Sequence, residues 1–270
     1  MNHTQISIQV TDPAMTEVMI ALLADIGFEG FEESDTVLNA YIAAADFPEN
    51  DFNQIVNQYS LIYSKSIINK QNWNAVWESN FEPIRVDDFV GIRASFHPPI
   101  TDTIHEIVIT PKMSFGTGHH PTTYLVMQLM RELDFAGKSV FDFGTGTGIL
   151  AILAEKLGAN EVLAVDYDDW CIENASENIS INRCQFIDIQ KNSIAITKKP
   201  YAVVIANINK NIILDNLSYL AQSLVAGGDI ILSGLLLEDA DEIIKACHSL
   251  GWTHILTTER GGWIAIRLQG

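Results

Sequence analysis

The fifteen residues VFDFGTGTGILAILA, at 140–154, constrain the fold more than any other stretch of the chain. A buried apolar strand runs into Asp142, glycines at 144, 146 and 148 make a turn, and a helix starts near Ile149. Glycines at a strand-to-helix turn let the backbone approach a ligand more closely than any Cβ permits. The spacing is G-x-G-x-G rather than the G-x-G-x-x-G of a pyrophosphate cradle. Taken alone, the loop also fits a purely structural turn.

The next strand, EVLAVD, ends in Asp166, 22 residues after Gly144. An acidic residue at a second strand end, about 20 residues on, is where ribose hydroxyls are held. Together the two signals predict an adenosine-type ligand at the carboxyl ends of the strands. The competing role for Asp166 is a helix cap, which Asp168 or Asp169 can also fill. A later strand, YAVVIAN, delivers Asn207 to the same edge. An amide there accepts a hydrogen bond from an amine without adding charge, whereas a carboxylate would favour the protonated, unreactive amine. Asn207 can alternatively cap the helix that follows.

Strand–helix alternation continues from about residue 138. The strands are VFDFG, EVLAVD, QFIDIQ, YAVVIAN and DIILSG, and the helices fall near 148–157, 169–182, 211–225 and 238–249. Continuous apolar strands such as YAVVIA suit a parallel sheet covered on both faces. WTHILTTER and WIAIRLQG are separated only by Gly261-Gly262, a two-residue hairpin signal. The pattern predicts an α/β fold: a seven-stranded, mostly parallel sheet ending in an antiparallel hairpin, the methyltransferase version of the Rossmann fold.

Upstream, residues 4–10 alternate like a strand and Asp12-Pro13 starts a helix over 14–26, closed by Gly27. FEGFEES and TVLNAYIAA read as strands, a helix follows over about 47–59, and LIYSKSII closes the unit. The order β-α-β-β-α-β is that of the ferredoxin-like unit. QNWNAVWESNFEP, at 71–83, reads as a linker helix with Trp73 and Trp77 four apart on one face. The predicted domains are therefore 1–70, the linker 71–83, and 84–270.

Charge narrows the function. The chain carries a net charge of −18, which repels phosphate backbones and argues against direct nucleic-acid binding. It favours basic partners. Residues 1–70 hold ten acidic residues against Lys65 and Lys70, a local net charge of −8. The three cysteines, Cys171, Cys184 and Cys247, are scattered as in a reduced, cytoplasmic protein. No apolar run is long enough for a membrane span, and the first ten residues do not read as a signal peptide.

PKMSFGTGHHPTT, at 111–123, is a glycine-rich loop leading into the helix YLVMQLMREL. Thr122 or Thr123 can present a hydroxyl and backbone N–H groups at that helix start, a site suited to a carboxylate. His119 and His120 are adjacent, point apart, and lack a third ligand, so no metal site is predicted.

The ordered set MSFGTGHHPTT, FDFGTGTGILAI, VLAVD and ANINKN resembles the PrmA family, as does the linker NWNAVWESNFEPI. The resemblance spans about residues 71–270, and the N-terminal element order agrees in architecture. It implies a protein methyltransferase that uses S-adenosyl-L-methionine (AdoMet), with cofactor contacts at Thr123, Gly144, Asp166 and Asn207 and the glycine loop extending to Gly146. It implies transfer to lysine ε-amines and the N-terminal α-amine of large-subunit ribosomal protein eleven, recognised by the N-terminal domain. Asn207 is the catalytic candidate, and the chain is expected to act as a cytoplasmic monomer. Two departures stand out: His119-His120 where the family often has one histidine in G-T-H-P, and Ile208-Asn209-Lys210 where it often reads N-I-L. The alternatives are methylation of a nucleic acid or small-molecule amine, or AdoMet binding without catalysis.

Overall fold

Alternating burial along the first strand shows how the N-terminal unit is built. In β1 (His3–Gln9), Thr4, Ile6 and Ile8 are buried while their neighbours are not. The computed structural model describes residues 3–10, 12–34, 36–68, 81–112, 116 and 118–270. The chain divides into two units, Met1–Trp77 and Glu78–Gly270. The linker helix expected at 71–83 lies, as far as residue 80, outside the described residues.

In the first unit β1 is followed by α1 (Pro13–Asp25), β2 (Gly30–Glu33), β3 (Val37–Ala43), α2 (Glu49–Tyr59) and β4 (Tyr63–Ile68). The sheet order is β2-β3-β1-β4, every neighbouring pair antiparallel. Ile6, Ile8, Leu38, Ala40 and Ile42 meet Met19 and Leu23 of α1 and Phe52 and Ile55 of α2 in one core. The expected second helix starts two residues late, because Ala44–Asp46 form a 3₁₀ turn ahead of it.

The second unit opens with a three-stranded sheet, in the strand-like runs VDDFVGIRASF and HEIVITP and the residues just before them. β5 (Ile84–Val86) pairs antiparallel with β6 (Val90–Ala94), which pairs parallel with β7 (His105–Ile109). Then come α3 (Pro121–Arg131), β8 (Ser139–Phe143), α4 (Ile149–Lys156), β9 (Glu161–Asp166), α5 (Asp169–Ile181) and β10 (Ile187–Lys191). β11 (Tyr201–Asn207), α6 (Lys210–Gln222), β12 (Leu224–Leu236), α7 (Ala240–Ser249), β13 (Thr253–Arg260) and β14 (Trp263–Gln269) complete it. The seven-stranded sheet runs β10-β9-β8-β11-β12-β14-β13, parallel except for β14, which is antiparallel to both neighbours.

The end of α6 and the start of β12 differ from expectation by three residues or more. The helix expected over 211–225 ends at Gln222, and β12 starts at Leu224 instead of Asp229. Leu224 pairs with Tyr201, and the register then shifts so that Asp229 meets Val203. Gly227, at φ +73°, lies within the intervening bulge. That local irregularity hides the strand's true start from any simple period.

Each face of the large sheet carries its own core. Val140, Val162, Ala164, Val203 and Ile205 pack with α3, α4 and the small sheet. Phe141, Leu163, Val165, Val204 and Ala206 pack with α6, α7 and β14. Removing a large side chain from either layer, such as the fully buried Phe141, would cost about 3–5 kcal/mol. Burial pushes all three cysteine thiols up, Cys247 to about 12, so they stay protonated and unreactive. No helix among the described residues is long and apolar enough to cross a membrane.

Candidate active site

The two-residue period of the strands aims three polar side chains at one place. Val162 and Ala164 face the α3–α4 layer, so Asp166 at the end of β9 does too. Asp142 follows Val140 on β8, and Asn207 follows Val203 and Ile205 on β11. Asp142 sits level with Ala164 on one side and Ile205 on the other. Asp166 and Asn207 therefore stand one strand-repeat further toward the carboxyl edge, flanking it.

The glycine loop fills the edge between them. Gly144 has φ +78°, and a Cβ there would overlap the Ile208 side chain. Gly148, also left-handed, starts α4 without a side-chain cap. The Asp166 carboxylate holds the loop: Oδ2 accepts the Gly146 N–H at 2.9 Å and Oδ1 accepts the Asp168 N–H at 3.1 Å. Each oxygen keeps a lone pair for a further donor, which matches two vicinal hydroxyls. The cap of α5 is Asp168, whose side chain accepts the Trp170 N–H at 2.9 Å. Asp166 is thus not needed as a cap. Tyr167 directly after it is 70% exposed.

Asn207 is released from capping in the same way, because Asn209 caps α6 by accepting the Ile212 N–H at 3.1 Å. Asn207 is only 7% exposed. Its Nδ2 lies 3.5 Å from Thr123 Oγ1, a contact at the outer limit of hydrogen bonding. Its Oδ1 is buried and has no partner among the described residues, a vacancy that normally costs about 1–3 kcal/mol unless something fills it. Gly116, Thr123, Gly144, Thr145, Gly146, Ile149, Leu150 and Asn207 line one cleft. None of these eight carries an ionisable side chain.

Thr123 occupies the third position of α3, not its cap. The cap is His120, with Pro121 at the first helical position. His120 Nδ1 lies 2.7 Å from Thr122 Oγ1, and its ring packs edge-on to Trp263 at 4.6 Å. His119 turns away, edge-on to Phe81 at 4.8 Å. Burial lowers both imidazoles below the ordinary histidine range, keeping them neutral at pH 7.

Asp142 is the residue that the sequence reading left as a mere strand end. It is 1% exposed, and its Oδ2 accepts the Thr145 hydroxyl at 2.6 Å. Burial, opposed by that hydrogen bond and reinforced by the Asp166 carboxylate, pushes its pKa up to about 7. The folded value lies above the unfolded one, near 3.9. Its contribution to stability is therefore complete below about pH 4 and is lost as pH rises through about 7. Asp142→Asn is expected to stabilise the cofactor-free protein by roughly 1–3 kcal/mol at pH 8, with little gain at pH 4. Urea unfolding at the two pH values measures this, and an equal gain at both would show that Asp142 is not the titrating group.

Its signal was the acid two residues before Gly144, legible in FDFGTG but read only as a strand terminus. Ile208, noted in the sequence only as a departure from the family pattern, fits its side chain against Gly144 and its backbone against Gly234.

The chain matches the family described as Ribosomal protein L11 methyltransferase (PrmA) over residues 2–270. It is 42% identical over 259 residues to the ribosomal protein L11 methyltransferase of Porphyromonas gingivalis, covering 93% of this chain and 89% of that protein. It is 38% identical over 261 residues to the enzyme of the same name from Phocaeicola vulgatus, covering 94% and 93%. A crystal structure of ribosomal protein L11 methylase from Lactobacillus delbrueckii subsp. bulgaricus superposes with TM-score 0.65 at 31% identity, covering 70% of this chain and 98% of that one. The cofactor is AdoMet. The site suits it: close-approach glycines, a two-oxygen acceptor at Asp166 and an unfilled buried acceptor at Asn207.

Proposed function

The chain belongs to the ribosomal protein L11 methyltransferase (PrmA) family, and from that membership and the cleft we propose that it methylates lysine ε-amines and the N-terminal α-amine of ribosomal protein L11. The observation that carries the amine chemistry is the buried Oδ1 of Asn207, without a partner among the described residues, in a cleft whose described lining carries no charged side chain. When bound, AdoMet supplies a methyl group on a sulfonium that needs no further activation. The residues of this chain select, orient and desolvate the amine.

A lysine amine titrates near 10.4 in water and must be neutral to react. An uncharged, dehydrating cleft lowers that value, because burial disfavours the ammonium. Asn207 Oδ1 accepts one N–H of the neutral amine and so points its lone pair. The neutral imidazoles of His119 and His120 add no repulsion. None of the described residues lining the cleft is ionisable, and the proton is assigned to water. Positioning carries most of the rate gain, up to about 7–11 kcal/mol.

Asp166 is assigned the ribose hydroxyls and Gly144 and Gly146 the close backbone approach. Thr123 and Asn207 are assigned to the same cleft. Asp166→Ala is expected to weaken AdoMet binding by about 1–3 kcal/mol, the range for hydrogen bonds to a charged group. Unchanged affinity in calorimetry would remove Asp166 from that role.

Residues 1–70, with their net charge of −8, are assigned recognition of the basic substrate. The enzyme is read as a monomer that works in the cytoplasm without binding nucleic acid, in keeping with a net charge of −18. Incubating purified L11 with the enzyme and AdoMet tests the proposal. Peptide mass spectrometry should locate added methyl groups on lysines and the N-terminal amine. Methyl groups only on other residue types, or none with folded enzyme and bound AdoMet, would refute the amine assignment.

A further inference from the structure

One face of α5 and its C-cap carries Asn174, Asn178 and Asn182, spaced four residues apart. Four helical residues rise about 6 Å, and two strand residues about 6.6 Å. Asparagines at this spacing can therefore serve alternate residues of a strand. They do so along the outer edge of β7 and its extension, opposite the edge that pairs with β6. Asn182 Oδ1 accepts the Val108 N–H at 3.0 Å and its Nδ2 donates to Val108 O at 2.6 Å. Asn178 Oδ1 accepts the Thr110 N–H at 2.8 Å, and Asn174 Nδ2 donates to Thr110 O at 3.1 Å.

At Asn178 the ladder does something more. Its Nδ2 donates at 2.9 Å to Thr147 O, inside the glycine loop. The Thr147 hydroxyl in turn donates to Gly116 O at 2.6 Å. Gly116 lines the cofactor cleft together with Gly144 and Gly146. Asn178 and Thr147 are both fully buried, so the bond between them has no water as a substitute. Ala175, one helical turn before, sits against Gly148 and leaves little room for the helix to shift.

We propose that Asn178 is a positioning residue for cofactor binding: through Thr110 and Thr147 it fixes Gly116 against the glycine loop and so sets the cleft width. Asn182 bonds both the N–H and the O of Val108 and also donates to Asn178 O at 2.8 Å, but its side chain makes no bond to the loop, and it covers the edge of β7. The proposal rests on AdoMet occupying this cleft.

The test compares matched substitutions. Asn178→Asp keeps the acceptor for Thr110 but loses the donor to Thr147 O. Asn182→Asp makes the same change beside Val108. Thermal unfolding should register a loss in both. Calorimetry with AdoMet should show Kd raised about tenfold in N178D and changed less than about twofold in N182D. With AdoMet saturating, kcat of N178D should stay within about threefold of the parent, since the lost interaction positions cofactor rather than amine. Thr147→Val removes only the hydroxyl bond to Gly116 and should also raise Kd. An unchanged Kd in T147V, or equal Kd changes in N178D and N182D, overturns the proposal, and the T147V result stands even if N178D fails to fold. If the unsubstituted protein does not bind AdoMet, the cofactor reading falls and this inference with it. Normal binding by the parent with unaffected variants sinks the inference alone.

Discussion

Replacing Asn207 by alanine is expected to lower kcat about 100-fold while weakening AdoMet binding less than about tenfold, because the amide orients the nucleophile. The asymmetry follows from the side chain's two ends. Nδ2 makes one long contact, to Thr123 at 3.5 Å, whereas Oδ1 is buried and has no partner among the described residues. Little binding energy is lost with the first, and the amine's acceptor is lost with the second. Asn207→Asp should also be slow at pH 7, since a carboxylate holds the amine as its ammonium. The rate of the aspartate variant should recover as pH rises toward the amine's own pKa, and that of the alanine variant should not recover to the same degree. Equal losses in affinity and rate for Asn207→Ala would instead mark the residue as a cofactor or folding element.

Deleting Met1–Trp77 should separate cofactor binding from recognition. Every residue assigned to the cofactor lies after Glu78, and each unit has its own buried core. The shortened chain is expected to bind AdoMet within about threefold of the full chain. It should lose on the order of 100-fold in kcat/KM on intact L11, equivalent to about 3 kcal/mol of docking energy. For the full chain, kcat/KM should fall with salt as the Debye length shrinks from about 10 Å at 0.1 M to about 3 Å at 1 M. A folded Glu78–Gly270 chain that methylates intact L11 as well as the full chain would remove the recognition role from residues 1–70.

The large sheet was legible because its strands are continuous apolar runs and its turns are marked by glycine. EVLAVD and YAVVIAN stand in the structure as read, Glu161–Asp166 and Tyr201–Asn207. The hairpin at Gly261-Gly262 joins β13 and β14 as its two-residue spacing predicts. What escaped was geometry that no period records. Leu224 continues the apolar spacing of α6, yet the helix stops at Gln222 and Leu224 enters a bulged strand. The cap of α3 fell to His120 because the proline after it takes the first helical position.

The site was half legible for the same reason. Strand-end position flagged Asp166 and Asn207, but only neighbouring side chains could show that Asp168 and Asn209 do the capping. Asp142 was visible in the sequence without its environment; burial and the adjacent Asp166 give it an unusual pKa. The asparagines at 174, 178 and 182 carry no signal in the local pattern. Their meaning depends on β7, some 65–75 residues earlier in the chain, and no local pattern carries that contact.

Mass spectrometry of L11 purified from cells with the gene intact, deleted, or replaced by the Asn207→Ala form tests the central claim most directly. The account predicts methylated lysines and a methylated N-terminal amine with the intact gene, none after deletion, and strongly reduced occupancy with the variant. L11 methylated to the same extent at the same amines after deletion would contradict it.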